Sequence, residues 1–149
     1  MLIDGMKAKG RVNIVLKGKD GKVKESREIN NLVVGSGLDY IASRMGGTSS
    51  DVMSHMALGS GTTAAANGDT DLQSILGSRE ALDSTTVTDN TIQYLSSFEA
   101  GDATGAVTEA GIFNASTGGD MLCRTTFDVV NKGAEDSLSV TWTISITAS

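Results

Sequence analysis

Apolar and hydroxyl-bearing residues alternate without interruption from Leu138 to Thr147, and this pattern constrains the fold more than any other part of the sequence. One side carries Leu138, Val140, Trp142, Ile144 and Ile146, and the other carries Ser139, Thr141, Thr143, Ser145 and Thr147. Because successive side chains of a β-strand point to opposite faces, the segment is predicted to be a strand with one buried face. A shift of one residue would exchange the two faces, so the pattern also determines the register.

Shorter segments with strand character precede this strand. They lie near 52–58, 79–87, 91–98, 106–113 and 121–130, and the first is predicted to be buried. The turns between them use Gly, Asn and Asp, since the 149 residues include 18 glycines and no proline. Short strands at this spacing predict a mainly β fold, an antiparallel β-sandwich or jelly-roll-like barrel. The length favours a single domain, 1–149, in which 52–149 form a β-body.

Residues 1–31 are predicted to form a basic β-hairpin or arm. Its first strand, Gly10 to Lys17, alternates apolar and polar residues, and Asp20-Gly21 favours a two-residue type I′ turn. The second strand, Lys22 to Ile29, is polar at nearly every position, as expected of an exposed edge protected by charge.

One short α-helix is predicted after the hairpin. Leu38, Ile41, Ala42 and Met45 have the spacing of one helical face. Ser36 is in position to cap the start, and Gly46-Gly47 is predicted to end the helix.

Charge is distributed unevenly along the chain. Residues 1–28 contain eight basic and four acidic residues, a net charge of +4. Because the whole chain has a net charge of −6, the remaining residues carry −10. An acidic body disfavours nucleic acid as a partner, whereas a basic segment favours contact with an acidic surface, including another copy of the chain. The predicted interface residues are Lys7, Lys9, Arg11, Lys17, Lys22 and Lys24.

The sequence also predicts where the chain is made. Cys123 is the only cysteine, and the first residues carry charges where a signal peptide needs an apolar region. No apolar run approaches the roughly 20 residues of a membrane helix. We therefore expect synthesis and folding in the cytoplasm, with no membrane partner.

The glycine-rich segment 57–72, ALGSGTTAAANGDTDL, does not match a nucleotide-binding motif. A P-loop requires a lysine after its last glycine, and no lysine lies between Lys24 and Lys132. Asp69 and Asp71 are weak candidates for a cation site. If Asp69 is taken as position 1 of an EF-hand loop, Glu80 matches the glutamate at position 12, but Ser74 occupies position 6, where glycine is needed. The simpler interpretation is a turn with solvated carboxylates, and no cofactor is predicted.

Three further residues have side chains capable of chemistry or ligand binding. His55 is the only histidine and lies in a predicted strand, which favours a hydrogen-bonded structural role over a catalytic one. Cys123 is interpreted as a small core residue, and Trp142 as a core residue rather than a sugar platform. The sequence therefore does not predict an enzyme.

The order of segments resembles small structural proteins of tailed bacteriophages. The resemblance covers residues 56–147 and rests on the glycine-rich segment, on TEAGIFN, on MLCRTTF and on VTWTISI. It is closest to capsid decoration (cement) proteins, and implies a β-rich, oligomeric, non-catalytic virion protein on the capsid surface. The implied partners are the major capsid protein and further copies of the chain, as a homodimer or homotrimer.

Two alternatives remain open at the level of sequence. One is a tail, fibre-attachment or baseplate component. The other, of a different class, is a carbohydrate-binding receptor module that uses Trp142 and loop carboxylates.

Overall fold

The computed structural model describes residues 5–47 and 50–148, which form nine strands and one helix. The elements are β1 (Met6–Lys17), β2 (Val23–Val33), α1 (Gly35–Met45), β3 (His55–Gly59), β4 (Glu80–Ala81), β5 (Ser84–Thr88), β6 (Thr91–Phe98), β7 (Gly105–Phe113), β8 (Met121–Lys132) and β9 (Ser137–Ala148). All strand pairs are antiparallel, in the order β4-β3-β7-β8-β2-β1-β9-β6-β5. The predicted mainly β, barrel-like fold class is confirmed.

The sheet curls until its two outermost strands come together. β4 and β5 stand at opposite ends of the strand order, yet only Leu82 and Asp83 separate them in the chain. The Asp83 N–H donates to the Leu95 carbonyl at 2.7 Å, and the Ser96 hydroxyl donates to the Ala81 carbonyl at 3.3 Å. The Asp83 bond continues the β5–β6 ladder, and the Ser96 bond links β6 to β4 across the gap in this half-barrel.

β9 has the buried face that its alternation predicts. It lies between β1 and β6, where Trp142 is opposite Val12 on one side and Tyr94 on the other. The four apolar residues from Leu138 to Ile144 are at most 2% exposed. Trp142 is completely buried, which confirms its assignment to the core.

The N-terminal hairpin forms, but its turn differs from the prediction. Gly18 N–H donates to the Lys22 carbonyl, and Gly21 N–H donates to the Gly18 carbonyl. The connection is therefore a three-residue loop, Lys19 to Gly21, and only Gly21 has a positive φ, of 79°. The Asp20 carboxylate accepts a bond from the Lys22 N–H at 3.0 Å, which stabilises this longer loop.

Over its polar part β2 is an exposed edge, as its composition predicted, although it lies inside the strand order. It lies between β1 and β8, but pairs with β8 only at Leu32 and Val33. Over its polar part the two strands separate, and the Arg27 guanidinium bridges them by donating to the carbonyls of Asp128 and Val129. The polar sequence thus corresponds to a local opening in the barrel wall.

Two other predicted strands have different bounds. The segment 52–58 becomes a strand only from His55, and Val52 is 61% exposed. The segment 79–87 is interrupted by Leu82 and Asp83, because there the chain crosses from one sheet edge to the other. Thr91–Phe98 has the predicted bounds, while β7 and β8 extend the predicted segments by one and two residues.

α1 confirms the predicted helix, but neither its cap nor its buried face follows from the sequence. Val34 occupies the N-cap position, and the Ser36 hydroxyl instead donates to the Met121 carbonyl at 2.7 Å. The helix contacts β8 through Gly37, where a Cβ would overlap the Leu122 carbonyl. The apolar face of the helix is not fully covered by the barrel, since Leu38 is 47% and Met45 is 75% exposed. Gly46 ends the helix as predicted.

Candidate interaction surfaces and the residues that position them

The glycine-rich segment continues into a loop that covers the outer face of β7 and β8. Residues 60–76 connect β3 to the approach to β4, and Leu72 packs against Ala57, Phe113 and Met121 in a small second hydrophobic cluster. The loop is therefore folded against the sheet. This defines its role as a structural cover over the strand face that points away from the barrel interior.

A buried carboxylate, Glu109 on β7, holds this loop in place. Its side chain is completely buried and accepts hydrogen bonds from the N–H groups of Gly61, Gln73 and Ser74, at 2.7 to 2.9 Å. It also accepts from Arg124 Nε on β8 at 3.0 Å. Both ends of the loop are thus fixed to one side chain.

These bonds also determine the protonation of Glu109. Burial by itself raises the pKa of a carboxyl group, but the donated bonds from Gln73, Ser74, Arg124 and Gly61 outweigh that effect. The pKa of Glu109 is consequently lowered below its usual value. The carboxylate therefore stays ionised, and it binds the N–H groups of the loop as an anion.

Arg124 binds both Glu109 and Asp69, one of the two weak candidates for a cation site. Its side chain is 2% exposed and donates to Glu109, to Asp69 at 2.9 Å and to the Thr63 carbonyl at 3.0 Å. Asp69 therefore binds a guanidinium, and Asp71, which is 65% exposed, lies 3.6 Å from Arg79. In residues 5–47 and 50–148 no group of three or more His, Cys, Asp or Glu side chains is arranged to hold a metal ion.

Two more basic residues of the β-body, Arg79 and Lys132, donate hydrogen bonds to backbone carbonyls of loops. The Arg79 guanidinium lies 3.5 Å from the centre of the Phe113 ring and donates to the carbonyls of Ala115 and Gly118, both at 2.8 Å. Lys132 is 2% exposed, and its ammonium group donates to the Glu99 carbonyl at 2.9 Å. Burial lowers the pKa of Lys132.

The remaining chemical candidates have structural surroundings. His55 Nδ1 lies 2.8 Å from the Ser54 hydroxyl, and no carboxylate of the described residues is paired with the ring. Cys123 is completely buried, which raises the pKa of its thiol to about 12, so the predicted core role is confirmed. The buried indole of Trp142 cannot serve as a sugar platform, which removes the residue on which the carbohydrate hypothesis depended.

Four of the predicted interface residues share one exposed surface. Lys7, Lys9, Arg11 and Lys17 are exposed and lie on the same side of β1, and we call this surface the basic face. Its neighbours on β9 are uncharged, since Lys7, Lys9 and Arg11 lie opposite Thr147, Ser145 and Thr143. Arg11 pairs with Glu28 at 3.0 Å, while no ion pair of the described residues involves the other three.

Lys22 and Lys24 lie on the other arm of the hairpin, beside the Lys17 end of the basic face. Lys22 is in the turn region of the hairpin, and Lys24 on β2 pairs with the largely buried Asp136 at 3.0 Å. The structure therefore places Lys7, Lys9 and Arg11 toward the start of β1, and Lys17, Lys22 and Lys24 near the hairpin tip.

Sequence reasoning missed a second surface, at the end of the barrel where β1 begins and β9 ends. Among the described residues nine large hydrophobic side chains are exposed, and six of them lie on or around α1 at this end, which we call the mouth. They are Met6, Leu32, Leu38, Met45, Val52 and Val87. The helical spacing indicated an apolar face on α1, but periodicity does not show whether such a face meets the same chain or another molecule.

Comparison with known proteins identified no matching protein family, no similar curated protein and no similar solved structure. The resemblance to phage virion proteins therefore stays a prediction. Within the described residues, no helix has the length and hydropathy needed to span a membrane.

Proposed function

We propose that this chain is a bacteriophage virion structural protein, a capsid decoration protein that binds major capsid protein subunits through the basic face. The observation that carries the proposal is the segregation of charge at the surface. Outside residues 1–28 the chain has only four basic residues, and the side chains of Arg79, Arg124 and Lys132 are buried. Among them only Arg44 is exposed, so the surface is more sharply divided than the sequence indicates.

A divided surface of this kind favours one orientation on an acidic partner. The basic face attracts an acidic protein surface, while the acidic remainder is repelled by it. The strand that carries the basic face pairs along its length with β9, so the charges stand on a rigid support. A rigid, pre-organised face loses little conformational entropy on docking.

Decoration of a shell fits a modest contact of this type. Exposed charge pairs each contribute little free energy, about 0 to 1 kcal/mol. Repetition over a lattice, and linkage between copies, increase the overall avidity without any new contact. The resemblance of segments 56–147 to phage virion proteins supports the same assignment.

Binding to purified capsid shells that lack the chain tests the proposal. Lys9→Glu combined with Arg11→Glu is expected to reduce binding at low salt, and added salt should weaken wild-type binding because it screens exposed charges. Lys19→Glu combined with Lys22→Glu is the matched control, since it makes the same charge change at the hairpin tip and should retain binding. Equal loss in both variants would contradict a role for the basic face.

Copy number separates shell from tail. Quantitative mass spectrometry of virions should find the chain in numbers comparable with the major capsid protein. Only a few copies per particle would assign it to a tail, fibre-attachment or baseplate position instead.

A further inference from the structure

Asn67 and Gly68 form the only Asn-Gly pair in the sequence, and the structure places them at an exposed turn of the loop 60–76. The other six asparagines all precede residues that carry a side chain. The side-chain carbonyl carbon of an asparagine can be attacked by the backbone nitrogen of the next residue. A glycine there leaves that nitrogen unhindered and allows the backbone to rotate toward the side chain. The pair therefore has the composition that this reaction requires.

The surroundings of the pair leave both reacting groups accessible. Both residues are exposed, and nothing lies within 4 Å of a Cβ placed on Gly68. No hydrogen bond between residues of 5–47 and 50–148 involves the side chain of Asn67 or the N–H of Gly68. Neither group has to leave a partner within this part of the chain before the two can meet.

We propose that Asn67 is a site of spontaneous deamidation and backbone isomerisation. The Gly68 nitrogen bonds to Cγ of Asn67, and the Nδ2 group takes up the proton of the Gly68 N–H and leaves as ammonia. The product is a cyclic imide, which water opens. Water that adds to Cγ restores the backbone and leaves aspartate. Water that adds to the backbone carbonyl carbon of Asn67 leaves isoaspartate, in which the chain runs through the side chain.

The turn that carries the pair connects two parts of the fold. The Asp69 N–H donates to the Ala66 carbonyl at 3.0 Å and closes the turn, and the Asp69 carboxylate binds Arg124 at 2.9 Å. The Asn67 carbonyl accepts a bond of 2.7 Å from the N–H of Gly35, the first residue of α1. A change in the backbone at Asn67 therefore acts on the contact between the loop and the start of the helix.

The two products differ in their effect on this contact. Aspartate keeps the backbone and adds a negative charge near the N-terminus of α1, since a Cβ on Gly35 would lie 3.4 Å from Asn67 Nδ2. The helix dipole favours an anion at that end. Isoaspartate lengthens the backbone by one carbon atom and displaces the carbonyl that Gly35 binds. Isoaspartate, and not aspartate, is therefore expected to detach the loop from the helix.

Incubation of the purified full chain at mildly alkaline pH, followed by peptide mass spectrometry, tests the site. The peptide that contains residue 67 should gain the mass difference between an amide and a carboxyl group. Gly68→Ala is the matched control, because it keeps Asn67 and adds a side chain beside the attacking nitrogen. It should fold like wild type and deamidate severalfold more slowly. The other six asparagines should keep their amides over the same time.

Two outcomes would overturn the proposal. One is a wild type that keeps the amide of residue 67 as long as Gly68→Ala does, and the other is deamidation spread evenly over all asparagines. Hydrogen exchange tests the effect on the helix, because the isoaspartate fraction should exchange faster at Gly35 while Asn67→Asp exchanges like wild type. Equal exchange in these two would contradict the detachment. The site is independent of the basic face, so the outcome of capsid binding does not affect it.

Discussion

The basic residues of β1 and those of the β-body differ in their partners. Lys7, Lys9 and Lys17 project from an exposed face and form no ion pair with the described residues. Arg124 and Lys132 are 2% exposed and bind carboxylates or carbonyls of their own chain. The comparison teaches that burial separates the cations that position loops, Arg124 and Lys132, from the lysines of β1 that remain available to a partner.

Removing the buried charge partner of Glu109 should have the largest effect on stability. Arg124→Leu leaves Glu109 buried without its charge partner, and loss of one member of a buried pair costs about 3 to 5 kcal/mol. Urea denaturation measures the change. Arg11→Leu is the matched control, since Arg11 and Glu28 are 65% and 57% exposed and such pairs contribute about 0 to 1 kcal/mol. Equal costs would refute the division between the two groups.

Arg79→Leu should have an intermediate effect. It removes two hydrogen bonds to carbonyls and the contact with the Phe113 ring, and the loss of charged hydrogen bonds costs about 1.5 to 3 kcal/mol. Hydrogen exchange should show faster exchange in residues 114–120. Arg44→Leu is the control. It removes one exposed hydrogen bond, to the Ser50 carbonyl, and should leave hydrogen exchange in residues 114–120 unchanged.

Gly61→Ala tests how closely the loop fits the buried carboxylate. A Cβ at this position would overlap the Glu109 carboxylate and the Gln73 side chain, and such crowding costs about 1 to 3 kcal/mol. Gly68→Ala lies in the same loop, where nothing stands within 4 Å of the added atom, and should change stability by less than about 0.5 kcal/mol. Similar melting temperatures for both variants would show that the loop adapts to the extra atom.

Acid should weaken the same attachment. Because the pKa of Glu109 is lower in the folded protein, its contribution is present above the unfolded value, about 4.3, and disappears as pH falls through the folded value. Urea denaturation across pH 7 to 3 should show this loss for wild type. Glu109→Gln should be less stable at neutral pH and should lack that part of the decline. Parallel pH curves would contradict the assignment.

The sequence was sufficient for the parts of the fold that depend on local pattern. Alternation from Leu138 to Thr147 predicted β9 and its buried face, and helical spacing predicted α1. The three-residue turn at Lys19 was missed because Asp20-Gly21 is compatible with two hairpin geometries, and only the loop hydrogen bonds distinguish them.

Features that depend on distant contacts were not predictable. Glu109 and Arg124 are separated from Gly61 and Gln73 by 36 or more residues, so no local signal connects them. The excess of acidic residues outside the hairpin did make Arg79, Arg124 and Lys132 unusual, and unusual cations in an acidic region are reasonable candidates for buried pairs. The exposure of Met45 was not predictable from the sequence, because the apolar face of a helix ordinarily packs inward.

Thermal melting of capsid shells tests the central claim most directly. Shells that lack this chain are incubated with wild-type protein, with Lys9→Glu combined with Arg11→Glu, or with no addition. The account predicts that wild type raises the melting temperature of the shell, while the double variant, with an unchanged melting temperature of its own, does not. Shells that melt at the same temperature with and without the wild-type chain would contradict it.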